Sequence, residues 1–265
     1  MTLQYHLQLK QGDVGRYVLL PGDPGRCEKI AQFLDDPKLI AQNREYITYT
    51  GTLLGERVSV TSTGIGCPST AIAMEELIRI GADTFIRVGT SGGIQSGTKS
   101  GDIAIVTAAI RDEGTTRQYL PIEYPAVADP DVVIALRQAA LELGLTFRIG
   151  VSHSKDSFYG EVEPERQPLS AELSQRWRAW EAGGAICSEM EAAAIFIIAS
   201  IHRKRAGGVM TMMGKDQGVP SDLEGIAGLH GDGAIRAAIE GVKGLRRVLH
   251  IMPDALSQSD IFVEN

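Results

Sequence analysis

The chain has 265 residues, 43% of them hydrophobic, enough to bury a sizeable core in one α/β unit and too apolar for a disordered or fibrous chain. A formal net charge of −7 argues against non-specific nucleic-acid binding, which needs a basic face to displace counterions, so any anion has to be held at a local site. Cys27, Cys67 and Cys187 are widely spaced with no CxxC pair, the start has no leader pattern, and no apolar run reaches bilayer length; the expectation is a soluble cytoplasmic protein without a disulfide framework, zinc site or membrane partner.

In chain order, a short β-branched run predicts a strand over 17–20, followed by the loop "LPGDPGR" and a helix over 26–33. A strand over 58–62 leads through "TGIGCPS" into a helix over 70–80, and a strand over 84–88 runs into "RVGTSGGI". Then come a strand over 103–106, a helix over 130–143, a strand over 147–151, helices over 170–180 and 189–200, a strand over 208–213 and a helix over 232–249. The strand patterns suit burial on both faces, so the alternation favours a largely parallel or mixed sheet covered by helices. No linker composition or repeat divides the chain, and one domain over 1–265 is the economical reading; the segment after Met252 reads as a peripheral end.

Three glycine-rich loops follow three strands, and in such sheets ligands sit beyond the carboxyl ends of strands, where the backbone approaches closely. "TGIGCPS" is not a GxGxxG fingerprint, and GxxxxGK[ST], GxSxG and HExxH are all missing, so dinucleotide, kinase, hydrolase-triad and metalloprotease chemistries lose ground together. The loops carry arginine instead: Arg26 ends the first, Arg44 lies in "NREYITY", and Arg87 precedes Thr90 in the third. Guanidinium forks match phosphate bidentately and glycine N–H groups add donors, so Gly22, Arg26, Arg87 and Thr90 suit a phosphate site. Taken singly, each arginine has a plainer role as one half of a surface ion pair. In "SEMEAAA", Ser188 with Glu191 three residues on forms a capping-box pattern, predicting a helix from Glu189 with Ser188 as its cap; a buried ligand clamp is the alternative.

The ordered series "LPGDPGR", "NREYITYTG", "TSTGIGCPSTAIAMEEL", "IRVGTSGGI", "PAVAD", "KDSFYG" and "SEMEAAAIF" resembles the nucleoside phosphorylase-I family, and within it bacterial uridine phosphorylases, from about Tyr5 to Gly214. That resemblance implies a three-layer phosphorylase/hydrolase-like fold with a mixed, partly closed barrel sheet. It also implies phosphorolysis of uridine to uracil and ribose 1-phosphate, with phosphate as co-substrate and no organic cofactor. Gly22, Arg26, Arg87 and Thr90 match the family's phosphate positions, and Arg44 matches an arginine supplied by a neighbouring subunit. Met190 and Glu191, with Thr90, match the ribose site, and His6 matches a histidine reaching from the neighbour to the 5′-hydroxyl. Glu45, the Ile65 carbonyl and Ser69 match a monovalent-cation site, potassium in character, at a dimer interface; dimers sharing active sites and assembled into a hexamer are implied.

For the base, the resemblance implicates Phe158, Glu161, Arg166 and Glu189, but Glu161 stands where similar sequences carry glutamine. An ionised glutamate only accepts hydrogen bonds: it suits the N3–H of uracil, repels O2, and suits the paired N1–H and 2-amino donors of guanine. Asp216 lies near the place where purine-specific relatives protonate N7 and joins Arg87 and Glu191 as a candidate catalytic residue, with a solvated turn as its plainer reading. Purine phosphorolysis is therefore the alternative, ahead of a nucleosidase or a non-catalytic nucleoside sensor.

Overall fold

The computed structural model describes residues 2–214 and 232–251. In chain order these form β1 (Tyr17–Leu20), α1 (Gly25–Ala31), β2 (Asp35–Asn43), β3 (Tyr46–Leu53), β4 (Glu56–Thr61), α2 (Cys67–Arg79), β5 (Thr84–Gly93), β6 (Ile103–Asp112), β7 (Ala126–Val127), α3 (Pro130–Glu142), β8 (Phe147–Lys155), α4 (Phe158–Val162), α5 (Ser170–Ala182), β9 (Cys187–Glu189), α6 (Ala192–Ile201), β10 (Arg205–Met213) and α7 (Asp232–Ile251). Every strand and helix expected from the sequence overlaps one of these.

The sheet closes on itself. β5 pairs parallel with β10, β10 antiparallel with β6, β6 parallel with β8, β8 parallel with β9, and β9 antiparallel with β5, which completes a five-strand ring. From β5 the sheet continues outward through β1, β4, β3 and β2. The ring is the barrel and, with its extension, carries both parallel and antiparallel pairings, the mixed sheet that the resemblance implied.

Period-two alternation splits the strands between two cores. Val18, Leu20, Ala104 and Val106 face one cluster with α2 and α6, while Tyr17, Leu19, Ile103 and Ile105 face the other with α1, α3 and α7. Both faces are therefore covered, which is why the strands read as unbroken apolar runs. α6 is buried nearly all round, so its "AAAIFIIASI" has no polar stripe. α3 starts where "DP" predicts: the Asp129 side chain accepts from the backbone N–H of Asp131 and Val132, with Pro130 at the first helical turn.

The β2–β3 hairpin is absent from the elements read in the sequence. β2, "DDPKLIAQN", is a mostly exposed edge strand with register shifts on both sides of Lys38–Leu39, which break the period. Among the described residues, no helix is long and apolar enough to cross a membrane.

Candidate active site

A cavity of about 1320 Å³ opens where the loops after β1 and β4 meet the ends of β5, β8 and β9 and the short helix α4. It is lined by Gly22, Arg26, Arg87 and Thr90 of the expected phosphate set, by Met190 and Glu191 of the ribose set, and by Phe158, Glu161 and Glu189 of the base set. Glu45, Ile65 and Ser69 line one edge of it.

At its centre Arg87 Nη2 donates to Glu191 Oε2 at 2.5 Å, with both side chains about 5% exposed. The other two nitrogens of Arg87, Nε and Nη1, are buried without a hydrogen-bond partner, although Nε is 3.8 Å from Glu189 Oε2. Buried donors of this kind are rare, and their open positions face a cavity that can admit a hydrogen-bond acceptor. The guanidinium lies flat against Gly89, where a Cβ would stand 2.9 Å from its Cζ and Nη2. Arg26, in the first turn of α1, is also buried and reaches the Val88 carbonyl through Nη1 at 3.4 Å. Burial lowers the Arg26 pKa and the nearby Arg87 charge lowers it further, while Asp23 and Glu191 oppose this, so two buried guanidinium groups stand close together at this end of the cavity.

Glu191 Oε1 accepts from the backbone N–H of Gly66 at 2.7 Å, at the N-terminus of α2. Gly66 has φ +90°, a left-handed conformation that turns its N–H toward the carboxylate and that other residues seldom adopt. Burial pushes the Glu191 carboxyl up, Arg87 opposes this, and the adjacent Glu189 charge adds to it.

The structure corrects the capping-box expectation. Ser188 belongs to β9, the helix starts at Ala192, and neither Ser188 nor Glu191 caps it through a side chain. Glu189 takes that role: its Oε2 accepts from the backbone N–H of Glu191 and of Ala192, each at 2.8 Å, while Oε1 accepts from Ser154. Glu189 is thus held by the frame of the site, and Glu191 is left free of capping to face Arg87 and the cavity.

The opposite end is built by β8, α4 and β9. Glu161 Oε2 accepts from Lys155 Nζ at 2.8 Å and from the Ser188 hydroxyl. His153 lies behind Ser188, with Nδ1 3.3 Å from Ser188 Oγ and Nε2 3.0 Å from Asp112 Oδ2. Burial raises the Asp112 carboxyl, but His153 and Arg176 outweigh it and hold the group below its ordinary range. Ser157 caps α4 by accepting from the Gly160 N–H at 3.0 Å, and Phe158 follows it into the cavity wall.

Three expected site residues among those described are not brought to this cavity. Arg166 is exposed and pairs with Glu163 at 2.5 Å. Arg44 sits exposed in the β2–β3 turn with φ +54°. His6 is held against the buried Glu76, its Nδ1 2.7 Å from Oε1, and Asn43 donates to the His6 carbonyl. Asp216 lies outside the described residues. At the edge, Ser69 Oγ donates to Glu45 Oε1 at 2.7 Å and this bond lowers the Glu45 pKa, leaving an ionised carboxylate among oxygen donors of the class that hard cations take. Lys155 and Gly66 carry no role in the sequence reading and Ser188 only that of a helix cap; all three fall inside the quoted motifs "KDSFYG", "SEMEAAAIF" and "TSTGIGCPSTAIAMEEL", and that membership is the available signal.

Burial pushes the Cys27 and Cys187 thiols up to about 12 and raises Cys67 as well, so all three are protonated at neutral pH and none is poised as a nucleophile. The cavity thus orders an anion-binding end, a carboxylate and a polar base-sized end in sequence, without a nucleophilic side chain between them.

A family profile described as "Phosphorylase superfamily" matches residues 16–238. The chain is 50% identical to the uridine phosphorylase of Treponema pallidum (strain Nichols) over 240 residues, 91% of this chain and 93% of that protein. It is 39% identical to the guanosine phosphorylase of Halorubrum lacusprofundi over 229 residues, 84% and 90% of the two chains, and 39% identical to the uridine phosphorylase of Escherichia coli (strain K12) over 209 residues, 77% and 82%. With a paired-arginine end, a buried carboxylate and most of its length matched, the chain belongs to the phosphorylase superfamily.

Proposed function

We propose that the protein is a nucleoside phosphorylase converting uridine and phosphate reversibly into uracil and ribose 1-phosphate. The observation that carries this reading is the pair of unsatisfied, buried Arg87 nitrogens beside the second buried cation, Arg26. A hydrolytic nucleosidase has no use for a phosphate cradle, whereas a phosphate dianion takes both free Arg87 donors and adds negative charge beside Arg26. Relatives named uridine phosphorylase support the choice of nucleoside.

In this reading phosphate attacks C1′ as the bond to the base breaks and positive charge develops on the sugar. Arg26, Arg87, Thr90 and Gly22 hold the nucleophile in line, which supplies proximity. Glu191 accepts from the ribose hydroxyls and sets negative charge near the developing cation; Arg87, bonded to Glu191, ties the phosphate position to the sugar position. Met190 packs along the nucleoside. The site is completed by Arg44 and His6 of a neighbouring subunit, a reading supported by neither residue lining the cavity of its own chain; shared-site dimers assemble into a hexamer, with potassium held at the interface by Glu45, Ser69 and the Ile65 carbonyl. Three unpaired cysteines support a reducing, cytoplasmic location.

An initial-rate panel of nucleosides with and without phosphate tests the reaction: base release should fall to background in phosphate-free buffer, and equal rates in both buffers would refute phosphorolysis. Guanosine phosphorolysis is the second reading, favoured by the Glu161 carboxylate and the 39% identical guanosine phosphorylase. A kcat/KM for guanosine above that for uridine would establish it instead.

A further inference from the structure

Three cations line the cavity among its described residues: Arg26 and Arg87 at the phosphate end, and Lys155 at the other. Lys155 is the last residue of β8, its side chain 8% exposed, with Nζ 2.8 Å from Glu161 Oε2, 2.7 Å from Ser188 Oγ and 6.0 Å from the centre of the Phe158 ring. Ser188 donates to the same Glu161 oxygen, and His153, set against Trp177 and Trp180 and bonded to Asp112, backs Ser188. The lysine and the glutamate are therefore held side by side, a fixed donor next to a fixed acceptor.

A desolvated Lys–Glu pair adds little stability over apolar groups of the same volume, so its place in a ligand cavity asks for a recognition role. A fixed donor beside a fixed acceptor complements a lactam, a ring N–H next to a carbonyl. Uracil presents that edge as N3–H beside O4, and hypoxanthine and guanine present it as N1–H beside O6. Cytosine and adenine present the reverse, an unprotonated ring nitrogen beside an amino group, which would set a lone pair against Glu161 and a donor against Lys155.

Resting on the reading of the cavity as a nucleoside site, we propose that the Lys155–Glu161 pair reads the lactam edge of the base, Glu161 accepting from the ring N–H and Lys155 donating to the adjacent carbonyl oxygen. Lys155 thereby supplies a donor at O4 beside the Glu161 acceptor at N3–H, so the pair reads uracil through that edge and not through the O2 contact a glutamine makes. As the C1′–N bond breaks, its electron pair passes into the base and partly onto the carbonyl oxygens, so the lysine contact strengthens in the transition state.

The test measures kcat/KM for uridine, cytidine, inosine and adenosine, with the phosphate KM, in wild type, Lys155→Met, Glu161→Gln and the double variant. Wild type should favour each oxo nucleoside over its amino counterpart by about 100-fold or more. Lys155→Met should lower kcat/KM for uridine by about 30- to 100-fold and shrink the uridine-to-cytidine ratio, with the phosphate KM within about twofold of wild type. Glu161→Gln, whose amide can offer its NH₂ to cytosine N3, should raise cytidine turnover. Lys155→Met/Glu161→Gln strands no buried charge, so its melting temperature and ratios keep the test valid if the single variants fold poorly. Unchanged oxo-to-amino ratios in the folded double variant would overturn the proposal. Phosphate-dependent turnover without any oxo preference in wild type would overturn the lactam reader alone; no phosphate-dependent turnover of any nucleoside would overturn the phosphorylase reading beneath it.

Discussion

Replacing Arg87 with methionine separates its proposed role toward phosphate from its ion pair with Glu191. Arg87 is a phosphate donor in the proposed reaction and the partner of the buried Glu191 carboxylate at 2.5 Å. Breaking a buried ion pair costs about 3–5 kcal/mol when the remaining charge stays ionised. Glu191 can escape that cost by taking a proton. Burial already raises its pKa above the ordinary carboxylate value of 4.5, and loss of the opposing Arg87 charge raises it further. For a carboxyl raised in the folded state, the stability contribution is complete below the unfolded value and is lost as pH rises through the folded one. The variant should therefore lie closest to wild type at acid pH, where Glu191 is protonated in both, and the gap should widen by up to about 1.4 kcal/mol per pH unit once pH passes the raised wild-type Glu191 pKa. Each kcal/mol corresponds to a fall of about 2–4 °C in melting temperature for a chain of this size. Turnover should drop by about 10²- to 10³-fold at every pH, as for loss of a donor to the reacting group. Arg87→Met/Glu191→Gln should recover most of the stability and none of the activity. Thermal melts at pH 5.5, 6.5 and 7.5 with parallel phosphate kinetics give both readouts; a double variant as unstable as the single one, with a pH-independent gap, would refute the charge argument.

Phosphate at about 100 times its Kd should stabilise the protein by about 2.7 kcal/mol, a rise of about 5–10 °C, and an equal rise with chloride at matched ionic strength would deny a specific cradle. Gly89→Ala places a Cβ 2.9 Å from the Arg87 guanidinium, whose flexible end must move; the phosphate KM should rise by about tenfold or more while stability changes by less than about 1 kcal/mol, and an unchanged KM would show that the guanidinium position does not matter. Arg166→Ala should alter uridine kcat/KM by less than about threefold, because its surface pair with Glu163 contributes little, and a hundredfold loss would place Arg166 on the base after all. Glu191→Gln, whose amide oxygen can still accept from Arg87 or the Gly66 N–H, should reduce turnover far more than it reduces folding, the opposite of a structural cap.

Several features of the chain were readable before any coordinates. Both-face burial makes β1, β5, β6 and β10 locally apolar, and local apolarity suffices to find them. Glycines and arginines at strand ends mark the end of the cavity proposed to hold phosphate, because close backbone approach and guanidinium geometry restrict which residue types serve there. The edge strand β2 escaped because its polar, bulged pattern carries no period. The helix start at Ala192 was misplaced because Ser188 and Glu191 satisfy the capping-box spacing while their side chains are engaged elsewhere, by Glu161 and Lys155 and by Gly66 and Arg87. Those partners lie between 27 and 125 positions away in the chain.

What the sequence determined by itself is therefore the inventory: which segments bury, which loops approach a ligand, and which charged residues are present. Only the tertiary structure decided which charge meets which. It set Lys155, not Arg166, beside Glu161; gave the capping of α6 to Glu189 and so released Glu191; and left two Arg87 nitrogens unsatisfied inside the cavity. The physical reason is that hydrogen-bond and ion-pair partners in a closed mixed barrel are brought together by strand order, which residue type and short-range spacing do not encode.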